Sequence, residues 1–436
     1  MSIDTRLRWA ASHGAIGAIL RRNARHGALD AQLHTEPARL ENPFPTYDQI
    51  RESGPFYVGT LGYYSAWHSV CLQVLRSDDF GVQGDPTRRP PVARAAYALA
   101  HYKPSKNAME PPSLFGVDPP VHTRYRRALA RALTPRVVEA LRPEVEQMAD
   151  VLLDELGDQH PDEPLDLVSA YNIRLPVAVI SRILGVPPEM RDQFVDWGDV
   201  GGAQLDFGIS HAQFVAAERA LTELYSWMLE HVHRVRRQPG EDLLSRVVVA
   251  QKDADADDKL TDDEIVFIGI LLLLAGFETT VNMLSNGAMQ LMKHPDQLAL
   301  LLADPELWPN AVQEVLRIDS PVQCRVRYAR RDIEIEGVRL PMGTLVMTMP
   351  GAANRDPAVF PDPDRFDVRR PEAREHLAFG GGVHYCIGAA LGRMEGEVGL
   401  QRLFERYPGL QVAGPAQRRH TRTLRGYAQL PVRLKG

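Results

Sequence analysis

The sequence predicts a predominantly α-helical α+β protein with a long central helix and small β-sheets. Apolar residues recur at helical spacing across 120–160, 170–200, 212–237, 261–303 and 387–406. Only the stretches 54–67 and 328–349 read as β. The two kinds of element also do not alternate as a βαβ dinucleotide-binding fold requires. The polar run 252–259 is a solvated loop rather than a linker, and no repeat divides the chain. Residues 1–436 therefore read as one domain with a helical extension over 1–40.

Along the chain, the apolar run 15–20 is too short for a signal core or a bilayer span, which predicts a surface helix packed on the protein. Asp118, Pro119 and Pro120 mark a helix start with an N-cap acid, placing His122 and Arg126 on one face. Thr261 and Glu264 form a capping box with Leu260 and Ile265 as its staple. The apolar run 265–277 that follows is also too short to span a bilayer and reads as a buried helix. Glu278, Thr279 and Thr280 then interrupt it, at a cost if they are buried without partners. Either the helix surfaces there, with Thr279 bonding back to the Ala275 carbonyl, or the polar group serves an internal site. Met283, Leu284, Ala288 and Met289 resume the apolar pattern, which favours an interrupted buried helix. Further on, Ile333, Ile335, Val338 and Leu340 flank Glu336-Gly337 as in a hairpin.

Composition narrows the function. The 50 basic against 56 acidic residues and the net charge of -6 argue against a global attraction to nucleic acid or anionic membrane, so any basic docking surface would be local. Cys71, Cys324 and Cys386 are odd in number and widely spaced, which suits a reducing cytoplasm and no disulfide framework. Neither a C-x-x-C zinc pair nor a C-x-x-C-H covalent heme site occurs. The expectation is a soluble, cytoplasmic monomer without an integral membrane segment.

The segment 379–393, FGGGVHYCIGAALGR, carries the chemistry. Its glycines 380, 381 and 382 allow a tight turn against a flat ligand. Cys386 stands at the mouth of an apolar helix beginning near Ile387, where helix-end N–H groups favour a thiolate. On this evidence alone an inert buried thiol is equally good. The wider pattern F-G-x-G-x-H-x-C-x-G-x-x-L-x-R, at Phe379, Gly380, Gly382, His384, Cys386, Gly388, Leu391 and Arg393, resembles the heme-binding loop of the cytochrome P-450 superfamily, soluble bacterial type. The resemblance implies a cytochrome P-450-like fold over roughly residues 40–436 and heme b (iron protoporphyrin IX) held non-covalently. Cys386 would be its axial ligand, Phe379 would pack near the sulfur, and His384 would sit at a propionate; thiolate donation favours O–O cleavage.

Other segments match the same family. Ala275, Gly276, Glu278 and Thr279 resemble its oxygen-activating segment, where the small residues leave room for dioxygen and the acid and alcohol manage protons. His122, Arg126 and Arg327 match residues that hold propionates, for which arginine is well shaped. Glu314 and Arg317 would be worth about 0.2–0.5 kcal/mol as a surface pair. By resemblance they are instead a buried network behind the heme, completed by Arg365. The implied function is a heme-dependent monooxygenase that hydroxylates or epoxidises a hydrophobic small molecule with O2. The sequence carries no flavin fingerprint or iron–sulfur cysteine cluster, so electrons from NAD(P)H would arrive through ferredoxin and ferredoxin reductase, or flavodoxin. Arg124, Arg127, Arg131 and Arg393 would form a basic docking face for that partner. The alternatives are a heme-thiolate isomerase, dehydratase or peroxygenase, and a non-catalytic gas-binding protein. Substrate would be lined by 102–114, 195–207, 322–324 and 426–428.

Overall fold

The computed structural model of the chain describes residues 3–88, 91–102, 106–130, 133–159, 163–251, 255 and 257–434. The helices that frame the site are α1 (Val121–Ala130), α2 (Arg191–Gly201), α3 (His211–Arg237), α4 (Asp262–Lys293), α5 (Trp308–Ile318) and α6 (Ala389–Arg406). The capping box starts α4: the Glu264 N–H donates to Thr261 Oγ1 at 3.2 Å, and the Thr261 N–H donates to Glu264 Oε2 at 2.8 Å. From there α4 runs unbroken for 32 residues and stops before Pro295, which cannot continue it. It is long and apolar enough to cross a membrane, but most of it is buried inside the protein. Phe277, Val281 and Leu284 of α4 share one core cluster with Leu400, Leu403 and Phe404 of α6. The two helices approach closely because of glycine. A Cβ on Gly287 would meet Leu400 Cδ1 at 2.7 Å, and one on Gly399 would meet Leu284 Cδ2 at 2.7 Å.

The main sheet comprises β1 (Tyr57–Val58), β2 (Tyr63–Ser65), β3 (Phe80–Gly81), β4 (Arg325–Ala329) and β5 (Leu345–Thr348), in spatial order β1-β2-β5-β4-β3. In the antiparallel β4–β5 pair Arg325 lies opposite Thr348 and Arg327 opposite Val346. Side chains alternate along a strand, so Arg325 and Arg327 project from the same face of β4. The expected hairpin forms between Ile333–Ile335 and Val338–Leu340. Positive φ angles of 50° at Glu336 and 73° at Gly337 give it the mirror-type turn that suits strand twist.

Residues of the N-terminal extension form helices at Ile3–Trp9, Ala15–Arg25, Leu29–Thr35 and Pro37–Glu41. They pack on the protein: Trp9 Nε1 donates to the Ile209 carbonyl at 2.8 Å, and Arg8 pairs with Glu218 of α3.

The network behind the site differs from expectation in one member. Glu314 and Arg317 on α5 have side chains with no exposure at all and meet bidentately at 2.7 and 2.8 Å. The third guanidinium belongs to Arg370, whose Nε lies 3.2 Å from Glu314 Oε1, and not to Arg365. The Arg365 side chain points outward, 61% exposed, and only its carbonyl accepts from Arg317, at 3.1 Å. The loop turns so that the carbonyls of Pro361, Asp362 and Arg365 all face Arg370. Arg370→Ala leaves Glu314 paired with Arg317 but removes the donor to the Pro361 and Asp362 carbonyls. A buried group left unsatisfied costs about 1–3 kcal/mol, so unfolding stability should fall by at least that much in a urea titration. Arg365→Ala should stay within about 0.5 kcal/mol of wild type. Equal losses would restore Arg365 to the network.

Candidate active site

The Cys386 loop is set by its glycines. Gly380 has φ 74° and Gly382 φ 64°, and a Cβ on Gly382 would sit 2.4 Å from the Leu75 carbonyl. The Cys386 N–H donates to the Phe379 carbonyl at 2.9 Å, which closes the loop. Arg393 lies 4.6 Å from the Phe379 ring centroid and donates to Tyr385 Oη at 2.7 Å. A Cβ on Gly392 would meet the Phe379 ring at 3.8 Å, ordinary contact, so an alanine fits there equally well. Helix α6 begins at Ala389 with Gly388 as its N-cap, and a Cβ on Gly388 would lie 3.9 Å from the Cys386 sulfur, so the helix head stands at the sulfur. Burial pushes the Cys386 thiol up, outweighing Arg325 and the Gly388 N–H that favour the thiolate. The Gly388 N–H favours the thiolate as expected, but burial outweighs it, so metal coordination would complete the deprotonation.

Cys386 and Arg325 are each half-buried, and a Cβ on Gly380 would lie 3.5 Å from Arg325, which places β4 beside the cysteine loop. Cations gather around it. Arg327 is 5% exposed and donates to the Val326 carbonyl at 2.8 Å, while Arg126 donates to the Tyr385 carbonyl at 2.7 Å. His122 is buried with its ring 4.3 Å from that of His384, and burial pushes its pKa down to about 4. Thus Cys386, His384, Phe379, Gly380, Gly388, His122, Arg126 and Arg327 are brought into one neighbourhood. Asp118 is not the expected cap of α1. Its carboxylate accepts from the Val82 and Gln83 N–H groups at 3.1 Å and lies 3.2 Å from His384 Nε2 and 3.0 Å from Arg330. Burial opposes its ionisation, but those hydrogen bonds hold it well below the usual carboxylate range.

Buried arginines elsewhere in the chain have acids: Arg317 and Arg370 meet Glu314, and Arg418 and Arg425 meet Asp319. Among the described residues, Arg126, Arg325 and Arg327 have no carboxylate within 4.0 Å. Arg126 and Arg325 are half-buried and Arg327 is buried, and a buried cation without counter-charge is costly. A flat group carrying two carboxylates and a thiophilic metal fits this donor set, as heme does.

The basic docking face is largely neutralised. Arg124 pairs with Glu264 and also donates to the Lys259 carbonyl, and Arg127 pairs with Asp258. Arg131 lies outside the described residues.

On α4, Ala275 is exposed to open space, whereas a Cβ on Gly276 would meet Ile180 Cδ1 at 3.1 Å. The room therefore lies on the side of Ala275, and Gly276 serves helix packing. Thr279 Oγ1 donates to the Ala275 carbonyl at 2.7 Å. The helix does not surface there, because Glu278 is 4% exposed. Its carboxylate occupies space left by Gly202, where a Cβ would come within 2.8 Å of Oε2. Arg419 lies 3.9 Å away and pairs at 2.7 Å with Asp199 on α2, which is 45% exposed. Burial dominates over Arg419 and raises the Glu278 pKa to about 7.

The sequence reading missed Arg325, Arg419 and Glu395. Period-two spacing from Arg327 would have found Arg325. No local pattern brings Arg419 to Glu278. Glu395 hides in the apolar face of α6, 2% exposed, with Oε2 unpartnered and its pKa held well above the usual value by burial. A cavity lined by Tyr47, Tyr64, Gln323, Cys324, Leu424 and Gly426 joins two of the four segments expected to contact substrate.

The family model for cytochrome P450 matches residues 206–304 and 301–413. Cytochrome P450 140 of Mycobacterium tuberculosis is 43% identical over 429 residues, covering 98% of this chain and 97% of that protein. The chain belongs to the cytochrome P450 family. The 6-deoxyerythronolide B hydroxylase of Saccharopolyspora erythraea is 38% identical, covering 90% of this chain and 96% of its own. The structure of Mycobacterium smegmatis CYP164A2 superposes with a TM-score of 0.82 at 35% identity, over 93% of this chain and 99% of that one. As a P450, the chain is a heme-thiolate monooxygenase that incorporates one oxygen atom from O2.

The raised Glu278 pKa has a stability consequence. Stability gained by keeping the carboxyl protonated is complete below about 4.5 and is lost as pH rises through about 7. Urea midpoints from pH 5 to 8 should show wild type losing up to about 3 kcal/mol relative to Glu278→Gln. Parallel profiles would mean that the carboxyl ionises as it does in water.

Proposed function

We propose that this P450 hydroxylates or epoxidises a hydrophobic small molecule, using electrons that originate from NAD(P)H and arrive through a separate ferredoxin or flavodoxin. The buried Glu278 carboxyl, with its pKa near neutrality and beside Thr279, carries this reading. Such an acid–alcohol pair serves a reaction that consumes two protons per dioxygen. When bound, heme supplies the redox chemistry that splits O2, one atom going to substrate and the other to water.

The protein groups do the rest. Cys386 holds the iron as thiolate, with Phe379 packed beside it. His122, Arg126, Arg327 and His384 bind the porphyrin carboxylates, and Gly380 and Gly388 keep the loop close to the ring. Ala275 leaves space for oxygen above α4. Glu278 takes protons from solvent at the Asp199–Arg419 pair and passes them toward Thr279, whose hydroxyl both accepts and donates. Relatives named for 6-deoxyerythronolide B and vitamin D(3) support a hydrophobic substrate.

Thr279→Ala removes the hydroxyl and leaves the heme ligands in place. Proton assistance typically contributes about 10²- to 10⁴-fold, so electron use should uncouple from product formation. Product and hydrogen peroxide per reduced nicotinamide, measured with surrogate ferredoxin and reductase, report this. Unchanged coupling would mean that Thr279 only bonds back to its own helix.

A further inference from the structure

We infer that Arg325 is a carboxylate-binding residue of the heme cavity, in addition to Arg327. The inference rests on the heme reading above and on four observations. Arg325 projects from β4 on the face that carries Arg327, so this strand presents two guanidiniums on one side. It lies beside the cysteine loop, since a Cβ on Gly380 would be 3.5 Å from both Cζ and Nε of Arg325. Its hydrogen bonding is incomplete: Nη2 donates to the Ala378 carbonyl at 2.8 Å, while Nε is buried with no partner. And no carboxylate among the described residues neutralises it, although the buried arginines at Glu314 and Asp319 are all paired.

A guanidinium presents donors in a fork that matches a carboxylate, and an interior cation left without counter-charge is strongly unfavourable. An anion at this position would resolve both deficits. Two sources offer the same chemistry, a porphyrin propionate and the carboxylate of an acidic substrate lying in the cavity. The residue distinguishes this chain's site from one that relies on Arg327 alone.

The test compares holoenzyme of wild type, Arg325→Gln and Arg325→Lys. One arm follows heme transfer to excess apomyoglobin. The other follows displacement of iron-bound water by hexadecanoic acid and by hexadecan-1-ol, which differ only in the terminal carboxylate. If the anion is a propionate, Arg325→Gln should speed heme loss tenfold or more and leave the acid-to-alcohol ratio unchanged. If the anion belongs to substrate, heme loss should be unchanged and affinity for the acid should fall tenfold relative to the alcohol. In either case Arg325→Lys, which keeps the charge, should recover at least half of the loss on a logarithmic scale. Should wild type bind neither probe, the heme-transfer arm decides alone. Unchanged behaviour in both arms, equal loss of acid and alcohol without faster heme loss, or no recovery by lysine would overturn the assignment. The heme reading fails separately, when wild type itself retains no heme.

Discussion

The Glu314 carboxylate, with no exposed surface, accepts from Arg317, from Arg370 and from the Asp367 N–H, and those arginines in turn satisfy the carbonyls of Asn354, Pro361, Asp362, Pro363 and Arg365. Asp319 does the same for Arg418 and Arg425, the latter reaching the carbonyls of Leu40 and Glu41. Charge placed in a low-dielectric interior must be neutralised and fully hydrogen-bonded. These two acids therefore fasten loops that are far apart in sequence, and the loops carry β4 and the cysteine segment. Arg325, Arg327 and Glu278 break that rule within the same fold, and they lie where chemistry is expected. Glu395, buried and unpartnered on α6, breaks it as well, so uncompleted charge marks the site only together with the cysteine loop.

Much of this was legible in the chain. The Thr261–Glu264 capping box, a long buried central helix and the Glu336-Gly337 hairpin follow from local rules and are present, although the helical run expected over 261–303 is broken before Pro295. The cysteine loop was legible because backbone turning and close approach both demand glycine, which leaves a dense motif. What escaped depends on tertiary proximity. Arg370 and Arg365 are five residues apart in one polar loop, and only the path of that loop decides which guanidinium turns inward. Asp118 has the composition of a cap, but its carboxylate is claimed by Val82, Gln83 and His384. The acids that neutralise Arg124 and Arg127 lie more than a hundred residues away, so a run of arginines looked like a free basic face.

The proton side of the cavity shows how a long helix acquires function without a visible break. Helix α4 keeps its hydrogen bonds, with Thr279 and Thr280 bonding back to Ala275 and Gly276. Glu278 is accommodated by a glycine on the neighbouring segment rather than by distortion of its own helix. Among the described residues its one near cation, Arg419, is shared with Asp199 on α2. Movement of α2 or of the segment that carries Arg419 would thus alter the charge facing Glu278.

All of this turns on Cys386 being the one sulfur that reaches the cofactor. Cys71 is buried with its thiol donating to the Ser65 carbonyl, and burial pushes both it and Cys324 up to about 12. The decisive measurement is the absorption spectrum of the reduced carbon-monoxide complex of wild type and Cys386→Ala. Thiolate ligation by Cys386 predicts a strongly red-shifted Soret band in wild type and its loss in the variant. A variant that keeps the red-shifted band would contradict the account.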